Sequence, residues 1–170
     1  MIPRRVIDHL KSKQIPFVRH PHPRAISAQK VAQAVHVSGY QVAKTVLFEV
    51  EGERWMAVLP AMGMVDTDRL GEILDKRHVR LLDEEEFAGL FPECEVGAEP
   101  PFGSLFGIPV LMDDSLREEE RMIVRAGSHD EVLELETDDF ERLERPRTGT
   151  FAVIAETQRY VAEPDIQAPM

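Results

Sequence analysis

Thr45-Val46-Leu47-Phe48-Glu49-Val50-Glu51-Gly52-Glu53-Arg54-Trp55-Met56-Ala57-Val58-Leu59 carries the strongest local signal in the chain. Two apolar runs flank a Glu-Gly-Glu break. They read as strands, Thr45 to Val50 and Trp55 to Leu59, joined as a hairpin. On the N-terminal side, Ser27 can cap a helix whose Ala28, Val31, Ala32 and Val35 form one apolar stripe. Ile15 to His20 reads as a short strand stopped by Pro21-His22-Pro23. Residues 4–13 place Val6, Ile7 and Leu10 at helical spacing.

On the C-terminal side, Asp66 or Thr67 starts a helix carrying Leu70, Ile73 and Leu74. Val79 to Leu82 is a short strand, and Asp83 to Leu90 is helical. Residues 97–107, rich in Gly, Pro and Phe, read as a loop. Pro109 to Met112, Arg121 to Val124 and Val132 to Glu136 are strands. Thr137 can cap a helix through Leu143, and Phe151 to Ala155 is a last strand. Several strand links are too short for parallel crossovers. The expectation is a single α+β domain over residues 1–155, a mixed, largely antiparallel sheet with a barrel-like core and surrounding helices. Residues 156–170 form a polar C-terminal tail.

The chain has 170 residues, 43% hydrophobic and 30% charged, enough apolar material for one core. No run approaches the roughly 20 apolar residues of a bilayer span. Met1 to Arg5 is not followed by the apolar run of a secretory signal. These features point to a soluble cytoplasmic protein with no membrane partner. One cysteine, Cys94, excludes an intrachain disulfide and a cysteine-only metal site.

The net charge of −11 argues against a polyanionic partner, but the charge is unevenly spread. Residues 1–44 hold eight basic side chains against one acid, Asp8, and the remainder holds 12 basic and 30 acidic groups. A globally acidic chain with a basic segment can still bind a polyanion on one face. A solvated basic helix face explains the same cluster.

Three segments can carry chemistry. Lys44 stands at the mouth of the Thr45 strand, where an ammonium can enter a cleft and meet a carbonyl or phosphate oxygen. It can equally be a lysine snorkelling at a strand start. Gly97-Ala98-Glu99-Pro100-Pro101-Phe102-Gly103 can present fixed backbone dipoles or serve as a connector. Gly127-Ser128-His129 offers a hydroxyl and an imidazole on a turn, or is a plain hairpin turn. His20 and His22 lack companion ligands at metal-binding spacing, so no metal or other cofactor is expected. Cys94 lacks a sequence partner and reads as a packed thiol.

Taken in order, these segments resemble the YbaK/prolyl-tRNA editing-domain family of aminoacyl-tRNA deacylases. The resemblance is carried by Phe17-Val18-Arg19-His20, Ser27-Ala28-Gln29-Lys30-Val31-Ala32 and Gln41-Val42-Ala43-Lys44-Thr45-Val46-Leu47-Phe48. It continues through Ala57-Val58-Leu59-Pro60, the Gly97 to Pro101 loop with Phe102-Gly103, and Ile108-Pro109-Val110-Leu111-Met112-Asp113. It ends with Ala126-Gly127-Ser128-His129 and Val132-Leu133-Glu134-Leu135. The glycine turn departs from the endings associated with alanine- and cysteine-specific members.

The resemblance implies hydrolysis of the ester joining a wrong, small amino acid to tRNA. Such editing supplies discrimination that a synthetase pocket, limited to about 1–3 kcal/mol per methylene, lacks. It implies Lys44, Gly97 and Pro101 as catalytic residues: Lys44 stabilises charge, while the loop backbone holds the aminoacyl group and orients water. His20, Ala98, Phe102, Gly103, Gly127, Ser128 and His129 would bind substrate. Arg4, Arg5, Lys11, Lys13 and Lys30 would meet tRNA phosphates. The implied partner is mischarged tRNA, with an aminoacyl-tRNA synthetase as a second candidate. Two rivals are a non-catalytic tRNA- or synthetase-binding module of the same fold and a hydrolase of small esters.

Reversing Arg4, Arg5 and Lys11 to Glu is expected to raise the KM for mischarged tRNA and flatten its salt dependence, with the fold intact. Unchanged kinetics on full-length tRNA would remove this helix as the docking face.

Overall fold

Helix α1 (Arg4–Ser12) buries Val6, Ile7 and Leu10 and leaves Arg4, Asp8 and Lys11 in solvent, as the spacing predicts. The computed structural model describes residues 1–154, so the tail expected at 156–170 lies outside the described residues, as does Ala155. Strand β1 (Val18–Pro21) is shorter than the expected Ile15 to His20. Ile15 is buried in the core, and its N–H closes the end of α1 on the Leu10 carbonyl at 2.9 Å. Pro21 is tolerated because β1 is an edge strand. Helix α2 (Ala28–Ala34) begins where the Ser27 hydroxyl accepts the Lys30 N–H, 3.1 Å away.

Strands β2 (Ala43–Val50) and β3 (Glu53–Pro60) form the expected hairpin, in register from Ala43 opposite Pro60 to Val50 opposite Glu53. Then follow β4 (Met64–Val65), α3 (Thr67–Leu74) capped by Asp66, β5 (Arg80–Leu81) and α4 (Glu84–Phe87). A short helix, α5 (Gly103–Phe106), interrupts the expected loop. Beyond it lie β6 (Val110–Asp113), β7 (Arg121–Arg125), β8 (Glu131–Glu136) and α6 (Thr137–Glu144). Thr137 is the first residue of α6 rather than its cap; its hydroxyl donates to the Glu119 carbonyl at 2.5 Å. Strands β9 (Arg147–Gly149) and β10 (Ala152–Val153) end the described chain.

The strands form a five-stranded sheet β5-β2-β3-β6-β9, a three-stranded sheet β1-β8-β7 and a ribbon β10-β4. Among the described residues they do not close into a barrel. Two ladders, β3–β6 and β6–β9, are parallel. Short links exclude parallel pairing only between sequence neighbours. Both parallel pairs are joined by long excursions that contain helices.

Side-chain alternation sorts the interior into layers. Leu47, Met56, Val58 and Met112 face a central cluster with α1, Phe102, Val124, Leu133 and Phe140. Phe48, Ala57, Leu59 and Leu111 face the opposite side, against α3 and Phe151. A small third cluster joins Val31 and Ala32 of α2 to Val42, Ile123 and Val132. At that cluster the two larger sheets meet through a parallel bridge, Val42 opposite Ile123, with the Ile123 N–H on the Gln41 carbonyl at 3.0 Å. No helix among the described residues is long and apolar enough to cross a membrane.

Asp113, 2% exposed, ties β6 to the chain entering β10. Its Oδ1 accepts the N–H groups of Phe151 and Ala152 at 2.8 and 2.7 Å, and its Oδ2 accepts the Ser115 N–H at 3.0 Å. Asp113→Ala strands these donors and is expected to cost about 2–4 kcal/mol in urea unfolding. A loss under about 0.5 kcal/mol, the range of an ordinary surface change, would contradict this.

Candidate active site

Val42 and Ile123 lie opposite one another, so the residues two further along, Lys44 and Arg125, point to the same side of their strands. There the two sheets part and leave a cleft of about 190 Å³. Ile26, Ala28, Ala43, Lys44, Thr45, Gly97, Glu99 and Arg125 line it. Residues far apart in sequence thus share one wall because of a single bridge between sheets.

The 95–99 loop is zipped to the β7–β8 turn. The Glu95 N–H donates to the Gly127 carbonyl at 3.0 Å, and the Gly127 N–H returns to the Ala98 carbonyl at 2.8 Å. Glu95 Oε2 accepts the His129 N–H at 2.6 Å. His129 Nε2–H donates to the Val96 carbonyl at 2.8 Å, which leaves Nδ1 to accept from Arg125 Nη1 at 3.4 Å. Arg125 Nη1 also donates to the Gly97 carbonyl at 2.5 Å, and the Gly97 N–H donates to Glu99 Oε2 at 2.6 Å. Gly97 has φ +89°, and Gly127 has φ +98° with Pro3 Cδ 2.7 Å from where a Cβ would stand. Both positions therefore exclude a side chain.

Burial dominates the electrostatics of the cleft. It draws the Lys44 ammonium below the ordinary lysine range. Among the described residues, no carboxylate lies within ion-pairing distance of that ammonium. Burial lifts the Glu99 carboxyl above the usual range, against the opposing pull of the Gly97 N–H and Arg125. It lowers Arg125 while Glu99 opposes.

Lys44 and Gly97 are brought together as the sequence predicts. The remaining expected residues are placed otherwise. Ala98, Pro101 and Phe102 are buried beneath the loop, and Phe102 belongs to the central core. Gly103 starts α5 against the Ile108 carbonyl, with no room for a side chain. Gly127 and His129 support the loop from behind rather than lining the cleft. Ser128 Oγ accepts from the Met1 ammonium at 3.2 Å and bonds Asp130. His20 sits on β1, its Nε2 2.7 Å from Glu134. Arg4, Arg5 and Lys11 lie on α1 and Lys13 just past its end, outside the cleft. Arg4 faces Asp8, and Arg5 lies over the Phe106 ring at 5.4 Å. Lys30 is exposed on α2, whose Ala28 lines the cleft.

Arg125 and the carboxylate of Glu99 escape sequence reasoning as individual groups. Their one signal is a charge inside an otherwise apolar setting: Arg125 ends the run Met122-Ile123-Val124, and Glu99 sits among Ala98, Pro100 and Pro101. Among the described residues, no three His, Cys, Asp or Glu side chains converge on a possible metal position.

The sequence profile of the aminoacyl-tRNA editing domain matches residues 22–143, more than half of the chain. The chain belongs to the aminoacyl-tRNA editing-domain family. No curated protein matches this editing domain. Solved structures share its fold. One, described provisionally as a trans-editing enzyme for prolyl tRNA synthetase, is 19% identical with TM-score 0.77, over 88% of this chain and 96% of that one. Another, described only as a hypothetical protein, is 18% identical with TM-score 0.79, over 88% and 99%. A third, described provisionally as a signal transduction protein from Marinobacter aquaeolei, is 20% identical with TM-score 0.72, over 97% of this chain but 34% of that one.

The raised carboxyl of Glu99 makes its ionised form a cost to the editing domain's stability. That cost is absent below the unfolded carboxyl value, about pH 4.3, and grows as pH rises through the folded one. Glu99→Gln keeps an oxygen for the Gly97 N–H. The variant is expected to be more stable than wild type at pH 7, with the gap closing toward pH 4 in urea titrations. A variant less stable at pH 7 would overturn the assignment.

Proposed function

We propose that this editing domain is a trans-acting aminoacyl-tRNA deacylase that hydrolyses the ester of a mischarged tRNA carrying a small amino acid. The observation that carries the reading is the half-buried Lys44 ammonium, which lines the cleft and, among the described residues, has no carboxylate within ion-pairing distance. A cation held in a partly desolvated cleft stabilises negative charge more strongly than it would in water. The cleft's modest volume suits a small aminoacyl group, and its open mouth suits the end of a polynucleotide. One structural neighbour, described provisionally as a trans-editing enzyme for prolyl tRNA synthetase, agrees with this reading.

In the proposed reaction, water attacks the ester carbonyl carbon, and charge gathers on the carbonyl oxygen. Lys44 stabilises that oxygen or the adjacent phosphate. The bond from carbonyl carbon to ribose oxygen then breaks, the ribose oxygen takes up the proton lost by the attacking water to become a hydroxyl, and the amino acid leaves as its acid. Orientation contributes as well as charge, and the Gly97 loop, pinned by Arg125 and Glu99, supplies a fixed wall. The exposed Lys11, Lys13 and Lys30, with Arg4 and Arg5, would add affinity for tRNA phosphates without sequence choice.

Lys44→Ala removes the charge and leaves the β2–β3 backbone ladder in place. Single-turnover deacylation of the best mischarged tRNA is expected to fall roughly 100- to 1,000-fold. Lys44→Arg should rescue poorly, since a guanidinium is larger and planar. A folded Lys44→Ala protein within about threefold of wild type, only ~0.7 kcal/mol of barrier, would remove Lys44 from the mechanism.

A further inference from the structure

Lys44, Glu99 and Arg125 all line the cleft, and among the described residues none is ion-paired with another. Glu99 and Arg125 are each only 7% exposed. Glu99 uses Oε2 on the Gly97 N–H, and Arg125 uses Nη1 on Gly97 and His129. Among the described residues, Arg125 Nε and Nη2 have no hydrogen-bond partner and Glu99 Oε1 has none from another residue, yet they are not sealed from solvent. Half-paired charges at this depth are costly unless a ligand completes them.

The backbone of Gly97 and Ala98 does not supply this recognition. Gly97 gives its N–H to Glu99 and its carbonyl to Arg125, and Ala98 gives its N–H to Glu95 and its carbonyl to Gly127. Polar recognition in the cleft therefore falls mainly to side chains: two cations and one carboxylate, with Thr45 beside them. The complementary ligand carries one cationic group beside anionic or strongly polarised oxygens. An aminoacylated tRNA end has that pattern: a free α-ammonium next to the ester carbonyl, with a phosphodiester one nucleoside away.

We propose that Glu99 receives the α-ammonium of the aminoacyl group, so that the substrates are aminoacyl-tRNAs with an unblocked amine. Lys44 and Arg125 then face the oxygens. The proposal rests on the deacylase reading above and narrows it. It excludes N-acylated aminoacyl-tRNAs and peptidyl-tRNA, in which the nitrogen is an uncharged amide.

The test compares the aminoacyl-tRNA hydrolysed best with the same tRNA N-acetylated on its amino acid, for wild type and Glu99→Gln. A hydrogen bond to a charged group is worth about a 10- to 100-fold preference, so wild type is expected to favour the free amine by that factor. Glu99→Gln is expected to bring the preference within about threefold by losing rate on the free-amine substrate. Equal rates on both substrates with wild type would overturn the proposal. So would a Glu99→Gln enzyme that keeps the full preference, because the acetyl group would then be excluded by size. Equal loss on both substrates would make Glu99 a general base and also overturn it. Absence of wild-type deacylation on any aminoacyl-tRNA would defeat the deacylase reading and this proposal together.

Discussion

One backbone bridge, Val42 against Ile123, sets the geometry on which the rest depends. Among the described residues it joins a five-stranded sheet to a three-stranded one through one isolated bridge, so the strands can diverge immediately beyond it. Divergence makes the cleft. The two-residue period of a strand then brings Lys44 and Arg125 to the same side. A closed barrel would have filled that space with paired backbone, and a wider separation would have left the two cations in separate environments.

Much of this was legible from sequence wherever the signal was local. The hairpin Thr45 to Leu59, the stripe Val6, Ile7 and Leu10, and the Ser27 cap each depend on neighbours a few residues away, and each is found. The parallel ladders of β6 with β3 and β9 were not legible, because such pairing is decided by which distant segment arrives at the edge. The small helix Gly103–Phe106 was hidden in a Pro- and Gly-rich run because it is only four residues long.

The site divides along the same line. Lys44 and Gly97 stand out by position in their own segments, and both line the cleft. Gly127 and His129 stand out as a turn, and the structure gives them a supporting place behind the loop. Arg125 gains its meaning from distant partners, such as the Gly97 carbonyl, 28 residues away in sequence. Charge arithmetic along the chain could not reveal it, since it counts as one of 20 basic residues in an acidic protein.

The lone sulfhydryl has a practical bearing. Cys94 packs close beneath Gly127, and burial, aided by Glu99, pushes its thiol up to about 11. The thiolate that alkylating reagents attack is therefore scarce at neutral pH. Maleimide chemistry would pass over this native cysteine and select one engineered on the surface. A fluorophore at Lys30→Cys, on the exposed side of α2 beside the cleft, could then report the arrival of a polynucleotide without first removing the natural thiol.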